Sequence, residues 1–156
     1  MGKAKDDRER WERVGKTCLL FNVRRAARSI TQFYDEAGNL IGLRSTQFGL
    51  LAAIRLAAPV NLKTLGGLLS MDPTTLARNL APLEKRKFVS VESGVDDRRE
   101  RIVRITSQGR STLDRAFPYW EKAQSEVLAE LGTARVQRML ADLSIVAELR
   151  RNQSPE

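Results

Sequence analysis

The stretch that decides the fold runs from Leu62 to Gly109 and reads LKTLGGLLSMDPTTLARNLAPLEKRKFVSVESGVDDRRERIVRITSQG. Its first part predicts a short helix over residues 62–69. Asp72 followed by Pro73 then predicts the start of a second helix. The carboxylate can accept from unpaired backbone N–H groups, and proline at the first helical position loses no hydrogen bond. Two helices separated by a tight turn are therefore expected.

The helix that starts at Pro73 has two distinct faces. Its apolar residues Leu76, Leu80 and Leu83 recur at helical spacing and predict a buried stripe, while Thr74, Arg78 and Lys85 fall on the opposite side. A short helix, a turn and a capped second helix with a polar, basic outer face are typical of a helix-turn-helix, whose second helix enters the DNA major groove.

Two β-rich runs follow this second helix. Residues 88–92 and 101–105 are rich in residue types that favour strands and are separated by a polar loop that contains Asp97, Arg98 and Arg99. This pattern predicts a charged β-hairpin. A hairpin directly after a helix-turn-helix makes the motif winged.

Helices are predicted on both sides of this region. Apolar periodicity indicates one long helix over residues 8–34, a helix over 45–58, and two more over 106–131 and 133–150. The expected fold is therefore mainly α with a small β-hairpin wing, in a single domain over residues 1–156.

Composition narrows the function classes. Of 156 residues, 27 are Lys or Arg and 19 are Asp or Glu, and the formal charge of +8 favours a polyanionic partner. The sequence contains no His and a single Cys, which argues against a Cys/His zinc site or a His-based triad, so we expect no enzyme activity, no metal and no cofactor. No long apolar run and no signal peptide are evident, which predicts a cytoplasmic protein that does not bind membranes.

The order of these motifs resembles the MarR family of winged helix-turn-helix transcriptional regulators. The marks are Asp72-Pro73-Thr74-Thr75-Leu76 with Arg78-Asn79-Leu80, then Asp97-Arg98-Arg99, then Ile105-Thr106 with Gly109. The resemblance covers roughly residues 10–150. The chain departs from the family pattern in two ways: Arg44 replaces a capping Thr, which moves the expected cap to Ser45, and Gly66–Gly67 replace better helix formers.

The resemblance implies a homodimer that binds double-stranded DNA. Helices over residues 8–34 and 107–150 would form the dimerisation region, and residues 45–105 the winged helix-turn-helix. Two recognition helices would occupy successive major grooves of a near-palindromic operator, with the wings at adjacent minor grooves. The expected function is a sequence-specific regulator, a repressor that a small-molecule ligand releases from DNA.

The resemblance also assigns expected roles to individual residues. Arg99 matches the wing-tip arginine that enters the minor groove, and Asp97 the carboxylate that orients it. The other expected DNA contacts are base- or phosphate-facing Thr74, Thr75 and Arg78, and phosphate-binding Lys85, Arg86 and Arg98. Alternatively, Arg78 could form a salt bridge with the wing carboxylates, and Lys85 and Arg86 could be a solvated helix face.

The ligand of such a regulator would be small and aromatic or anionic, bound between the dimerisation helices and the winged module. Phe21, Arg25, Phe48 and Trp120 are the candidate lining residues. Each of them could equally belong to the packed core.

Two other functions remain open at this point. The chain could be a winged-helix protein-interaction module without DNA binding, although its basic recognition helix and wing argue against this. It could also be a redox-sensing repressor that uses Cys18. The family's cysteine sensors support their thiolate with two tyrosines, however, and the corresponding positions here are Asn22 and Gln32.

Overall fold

The structure, a computed structural model, describes residues 2–38, 42–94 and 97–149. The elements in chain order are α1 (Gly2–Thr17), α2 (Leu19–Gly38), α3 (Ser45–Ala57), β1 (Val60–Asn61), α4 (Leu62–Leu68), α5 (Pro73–Lys85), β2 (Val89–Ser93), β3 (Arg101–Ile105), α6 (Ser107–Leu131) and α7 (Thr133–Glu148). The mainly helical fold with a hairpin wing is confirmed. Within the described residues, no helix has the length and apolarity needed to cross a bilayer.

The N-terminal helical region is divided at Cys18. Asn22 donates from its side chain to the carbonyl oxygens of Gly15, at 3.1 Å, and of Cys18, at 2.9 Å. The Cys18 carbonyl also keeps its backbone partner, the N–H of Asn22 at 3.1 Å, so the Asn22 side chain adds a second donor there and supplies one to Gly15 near the end of α1. The single helix predicted for residues 8–34 was therefore wrong, and the region is two helices, α1 and α2.

The core of the winged module lies between α3, α4, α5 and the sheet. Its largest fully buried side chains are Leu51, Ile54, Leu65, Leu76, Leu83 and Val103. The sheet has the order β1-β3-β2 with antiparallel pairs, and Val60 of β1 lies opposite Val103 of β3. The short β1 was not predicted, because a two-residue strand carries no alternation that a pattern could reveal.

The start of α3 is held by a residue from another helix. Asp35 of α2 accepts a hydrogen bond from the backbone N–H of Ser45 at 2.6 Å, and Arg44 is the N-cap residue. The expected cap at Ser45 was therefore wrong by one position. A carboxylate ten residues earlier in the chain satisfies one of the unpaired N–H groups of α3, which local sequence signals do not show.

The two adjacent glycines of α4 differ in their surroundings. A Cβ on Gly66 would lie 3.0 Å from the carbonyl oxygen of Met71, whereas a Cβ on Gly67 would meet nothing within 4 Å. Gly66 therefore allows the turn after α4 to approach the helix closely, and Gly67 has no such role.

We expect Gly67→Ala to raise the free energy of unfolding by about 1 kcal/mol, because alanine is the better helix former. Gly66→Ala should gain less or lose stability, since its methyl group would press on the Met71 carbonyl. Urea denaturation followed by circular dichroism measures both changes. Equal gains for the two variants would contradict the assigned role of Gly66.

Candidate nucleic-acid interface

The recognition helix α5 begins at a well-formed cap. Asp72 accepts from the backbone N–H of Thr75 at 2.9 Å and from the Thr75 hydroxyl at 2.6 Å. Both hydrogen bonds favour the ionised carboxylate, and the Thr75 hydroxyl contributes most to holding the pKa of Asp72 below its ordinary value. The start predicted from Asp72-Pro73 is confirmed, and the cap stays charged at neutral pH.

The two faces of α5 separate as the sequence predicted. Leu76, Leu80 and Leu83 are buried, while Thr74, Arg78 and Lys85 are exposed. The Thr75 hydroxyl already donates to Asp72, so it can offer only its lone pairs to another partner.

The cations of this outer face are available for a partner. Among the described residues, Arg78 and Lys85 form no salt bridge, and Arg78 does not pair with the wing carboxylates Glu92, Asp97 or Glu100. The alternative in which Arg78 is bound to the described wing carboxylates therefore finds no support.

Arg86 lies at the C-terminal end of α5 and has two intramolecular partners. Its guanidinium donates to the carbonyl oxygen of Gly42 at 2.8 Å and lies 4.5 Å from the centroid of the Phe88 ring. These contacts fasten the end of α5 to the segment before α3. The sequence analysis predicted that this guanidinium binds a phosphate, and in the structure it already has two partners within the chain.

The wing is a hairpin of β2 and β3 whose connecting loop is described at residue 94 and at residues 97–100. Asp97 accepts from the backbone N–H of Arg99 at 2.8 Å, and the Asp97 carbonyl accepts from the N–H of Glu100 at 3.0 Å. Arg98 and Arg99 are exposed. The Asp97 carboxylate thus fixes the backbone at Arg99. The family resemblance had instead implied that this carboxylate orients the Arg99 guanidinium.

The wing is joined to α6 through a close backbone contact. Thr106 donates from its hydroxyl to the carbonyl oxygen of Lys87 at 2.7 Å and accepts from the N–H of Gly109 at 2.9 Å. A Cβ on Gly109 would lie 2.0 Å from the carbonyl oxygen of Phe88, so only glycine fits there. This junction sets the position of the wing relative to the long helix α6.

A cavity of about 510 Å³ lies between α2, α3 and α6. It is lined by Ile30, Thr31, Tyr34, Leu43, Ser45, Thr46, Phe48, Gly49, Ala52, Ala116, Tyr119 and Trp120. The rings of Phe48 and Trp120 are stacked, with centroids 6.1 Å apart and planes at 13°. The structure brings these two candidate ligand residues together.

The other two ligand candidates lie elsewhere. Phe21 and Arg25 are exposed on α2 and are not among the residues that line the cavity. The tyrosines and hydroxyl residues of the cavity were not singled out from the sequence. In the sequence these lining residues show only as one apolar or hydroxyl residue per turn in each of three helices. Ordinary core packing gives the same pattern, so it does not indicate a ligand site.

The capped helix α5, the tight turn before it and the hairpin packed behind it define a winged helix-turn-helix protein. Comparison with known proteins gives the same class. The MarR family model matches residues 43–101.

One solved structure combines a high identity with near-complete overlap. The M. tuberculosis transcriptional regulator MosR, solved in complex with DNA, is 38% identical, with 86% of this chain and 98% of that chain covered and a TM-score of 0.76. The uncharacterized HTH-type transcriptional regulator YwoH of Bacillus subtilis is 26% identical over 112 residues, which are 72% of this chain and 81% of the relative. A MarR mutant from E. coli, complexed with operator DNA, shares the fold at 21% identity and a TM-score of 0.76, with 86% of this chain and 96% of that chain covered. The chain belongs to the MarR family of transcriptional regulators.

Proposed function

We propose that the chain is a transcriptional repressor that binds double-stranded DNA as a homodimer in the cytoplasm, with α5 in the major groove and the wing at the minor groove. The observation that carries this proposal is the exposed outer face of α5, where Thr74 is exposed and Arg78 and Lys85 form no salt bridge with the described carboxylates. The relative MosR was solved in complex with DNA, which supports DNA binding by this chain.

The residues of this face are assigned by their distance from the start of α5. Thr74 and Arg78 lie in its first two turns, where a recognition helix contacts base edges. Lys85 lies at its far end, and Arg98 on the wing; a flexible cation there contacts phosphates. Arg99 is placed in the minor groove. Thr75 preserves the cap, and Arg86 holds the end of α5 in place.

Dimerisation is supported by apolar side chains that the single chain leaves exposed. They lie on α1, α2 and α7, and include Trp11, Val14, Leu19, Leu20, Phe21, Met139, Leu140 and Leu143. Large apolar side chains that a single chain leaves exposed in such number are typical of an interaction site. A two-fold dimer would require near-palindromic operators with half-sites about one helical turn apart.

Fluorescence anisotropy tests this proposal with the DNA upstream of the chain's own gene and a scrambled duplex of equal length. Tight, sequence-dependent binding by a dimer is the expected result. Sedimentation that shows a stable monomer would contradict the dimer. Failure to bind either duplex at low salt would favour a winged-helix module that binds protein.

Lys85→Ala is expected to weaken binding to operator and scrambled DNA by similar factors. It should lower the slope of log affinity against log salt by about one unit, because one phosphate contact releases about one counterion. Lys122→Ala, which removes the same charge from an exposed position on α6, is the matched control and should leave the slope unchanged. A Lys85 variant that changes sequence preference instead would show that Lys85 contacts a base.

Ligand-dependent release is the second part of the proposal. The cavity lies where α2 and α6 pack against α3, and α3 in turn packs against α4 and β3 of the winged module. A ligand that alters the packing of α3 would therefore alter the position of α5 and of the wing. Spacing between the two recognition helices of a dimer must match the DNA helical repeat, so a small displacement lowers affinity.

A further inference from the structure

We infer that this cavity selects an uncharged aromatic ligand that carries a hydrogen-bond donor, and that it discriminates against aromatic carboxylates. The inference deepens the proposed ligand-dependent release and rests on it for its regulatory consequence. It differs from the sequence expectation, which left aromatic and anionic ligands equally open. Three observations carry it: the charge of the lining, the direction of its hydrogen bonds and the shape of its aromatic wall.

The first observation is that no Lys or Arg occurs among the described lining residues. Two arginines line neighbouring cavities and have carboxylates beside them. Arg55 forms a salt bridge with Asp114, and Arg44 shares its cavity with Asp35 and Glu36. A carboxylate moved from water into such a cavity would lose its hydration without gaining a counter-charge.

The second observation is that three lining hydroxyls on the side of α2 and the start of α3, those of Thr31, Ser45 and Tyr34, already use their protons. Thr31 donates to the carbonyl oxygen of Ala27 at 2.7 Å, and Ser45 donates to the carbonyl oxygen of Thr31 at 3.4 Å. Tyr34 donates to the Gln124 side-chain oxygen at 2.6 Å. Each of these hydroxyls can therefore offer only lone pairs to a ligand. Lone pairs bind an N–H or O–H donor and repel a carboxylate.

The environment of Tyr34 agrees with this assignment. Burial raises the pKa of its phenol above the ordinary value, which means that the surroundings disfavour a negative charge. Asp35, next in the chain, accepts from the N–H of Ser45 at 2.6 Å, so a carboxylate lies directly behind the lining at that point. Both features oppose the entry of an anion.

The third observation concerns the aromatic wall. Phe48 and Trp120 lie nearly parallel, and Gly49 and Ala52 on the adjoining turn of α3 leave space beside them. A flat ring system can stack against this wall, and the volume of about 510 Å³ lies within the range of small-molecule sites.

Isothermal titration calorimetry of the full chain with 2-naphthamide and 2-naphthoate at pH 7 tests the inference. The two probes share the same rings, and only the amide is uncharged and able to donate. We expect 2-naphthamide to bind at least about tenfold more tightly, because the carboxylate loses hydration that the cavity does not replace. Equal or tighter binding of 2-naphthoate, or no binding of either ring, would overturn the inference.

Two variants locate the binding in this cavity. Gly49→Leu places a side chain in its open space and should abolish binding of 2-naphthamide, with a melting curve recorded to establish that the variant is folded. Should it not fold, Ala52→Leu fills the same space from the next turn. Thr46→Lys adds an ammonium to the lining and should reduce or reverse the preference for the amide. An unchanged preference would contradict the charge argument.

Operator binding is measured in the same samples by anisotropy, with and without each probe. A protein that binds DNA and selects 2-naphthamide without releasing the DNA supports the ligand assignment and contradicts the release. A protein that binds DNA but neither probe contradicts the ligand assignment and leaves DNA binding intact.

Discussion

Gly109→Ala is expected to lower the free energy of unfolding by about 3 kcal/mol, the upper end of what overpacking usually costs. Its methyl group would lie 2.0 Å from the Phe88 carbonyl oxygen and 2.9 Å from a side-chain carbon of Ile105. The first contact is with backbone, which cannot move aside by a change of rotamer. Either the first turn of α6 or the start of β2 must shift, and the hydrogen bonds of Thr106 at this junction would be lost with it.

Urea denaturation measures this loss, and Gly67→Ala serves as the matched control because the same substitution in α4 meets nothing within 4 Å. The two variants should shift the midpoint in opposite directions. An alanine at position 109 that leaves the midpoint unchanged would mean that the junction is not closely packed in solution.

Arg99→Ala is expected to weaken operator binding by roughly 1–3 kcal/mol, which is about 5- to 150-fold. A guanidinium in a narrow minor groove lies in its most negative potential, so the loss should be largest on operators with A·T-rich flanks. Anisotropy titrations with A·T-rich and G·C-rich flanks measure the difference. An equal loss on both flanks would show that Arg99 contacts only phosphates.

Asp97 provides a companion test, because its carboxylate holds the backbone N–H of Arg99. Asp97→Ala should weaken binding although it removes a negative charge near DNA. Asp97→Asn retains an oxygen acceptor and removes the same charge, so it should bind at least as tightly as the parent. If both variants bind more tightly, Asp97 acts only by repelling DNA and does not position Arg99.

The features that sequence predicted well are those with local causes. The cap at Asp72 and the stripe of Leu76, Leu80 and Leu83 each depend on residues within a few positions of one another, and both appear in the structure. Helix periodicity and capping preferences act at that range. The winged arrangement then followed from the order of these local elements.

The features that sequence missed depend on contacts between distant segments. Asp35 caps α3 from another helix, and Arg86 is held by Gly42, 44 positions away. The break at Cys18 is a local exception: the apolar spacing of Val14, Cys18 and Phe21 continues across it, so periodicity alone predicted one helix. The cavity combines residues of three helices, none of which signals a ligand alone.

The junction of Thr106 and Gly109 also makes the wing a lever. Strand β3 has five residues, and at about 3.4 Å per residue the hairpin extends roughly 17 Å from this pivot. A rotation of about 5° at the pivot would thus displace the tip by about 1.5 Å, which is enough to break a hydrogen bond at Arg99. The accuracy with which the wing tip meets DNA is therefore set at its base, by a threonine hydroxyl and by the absence of one methyl group.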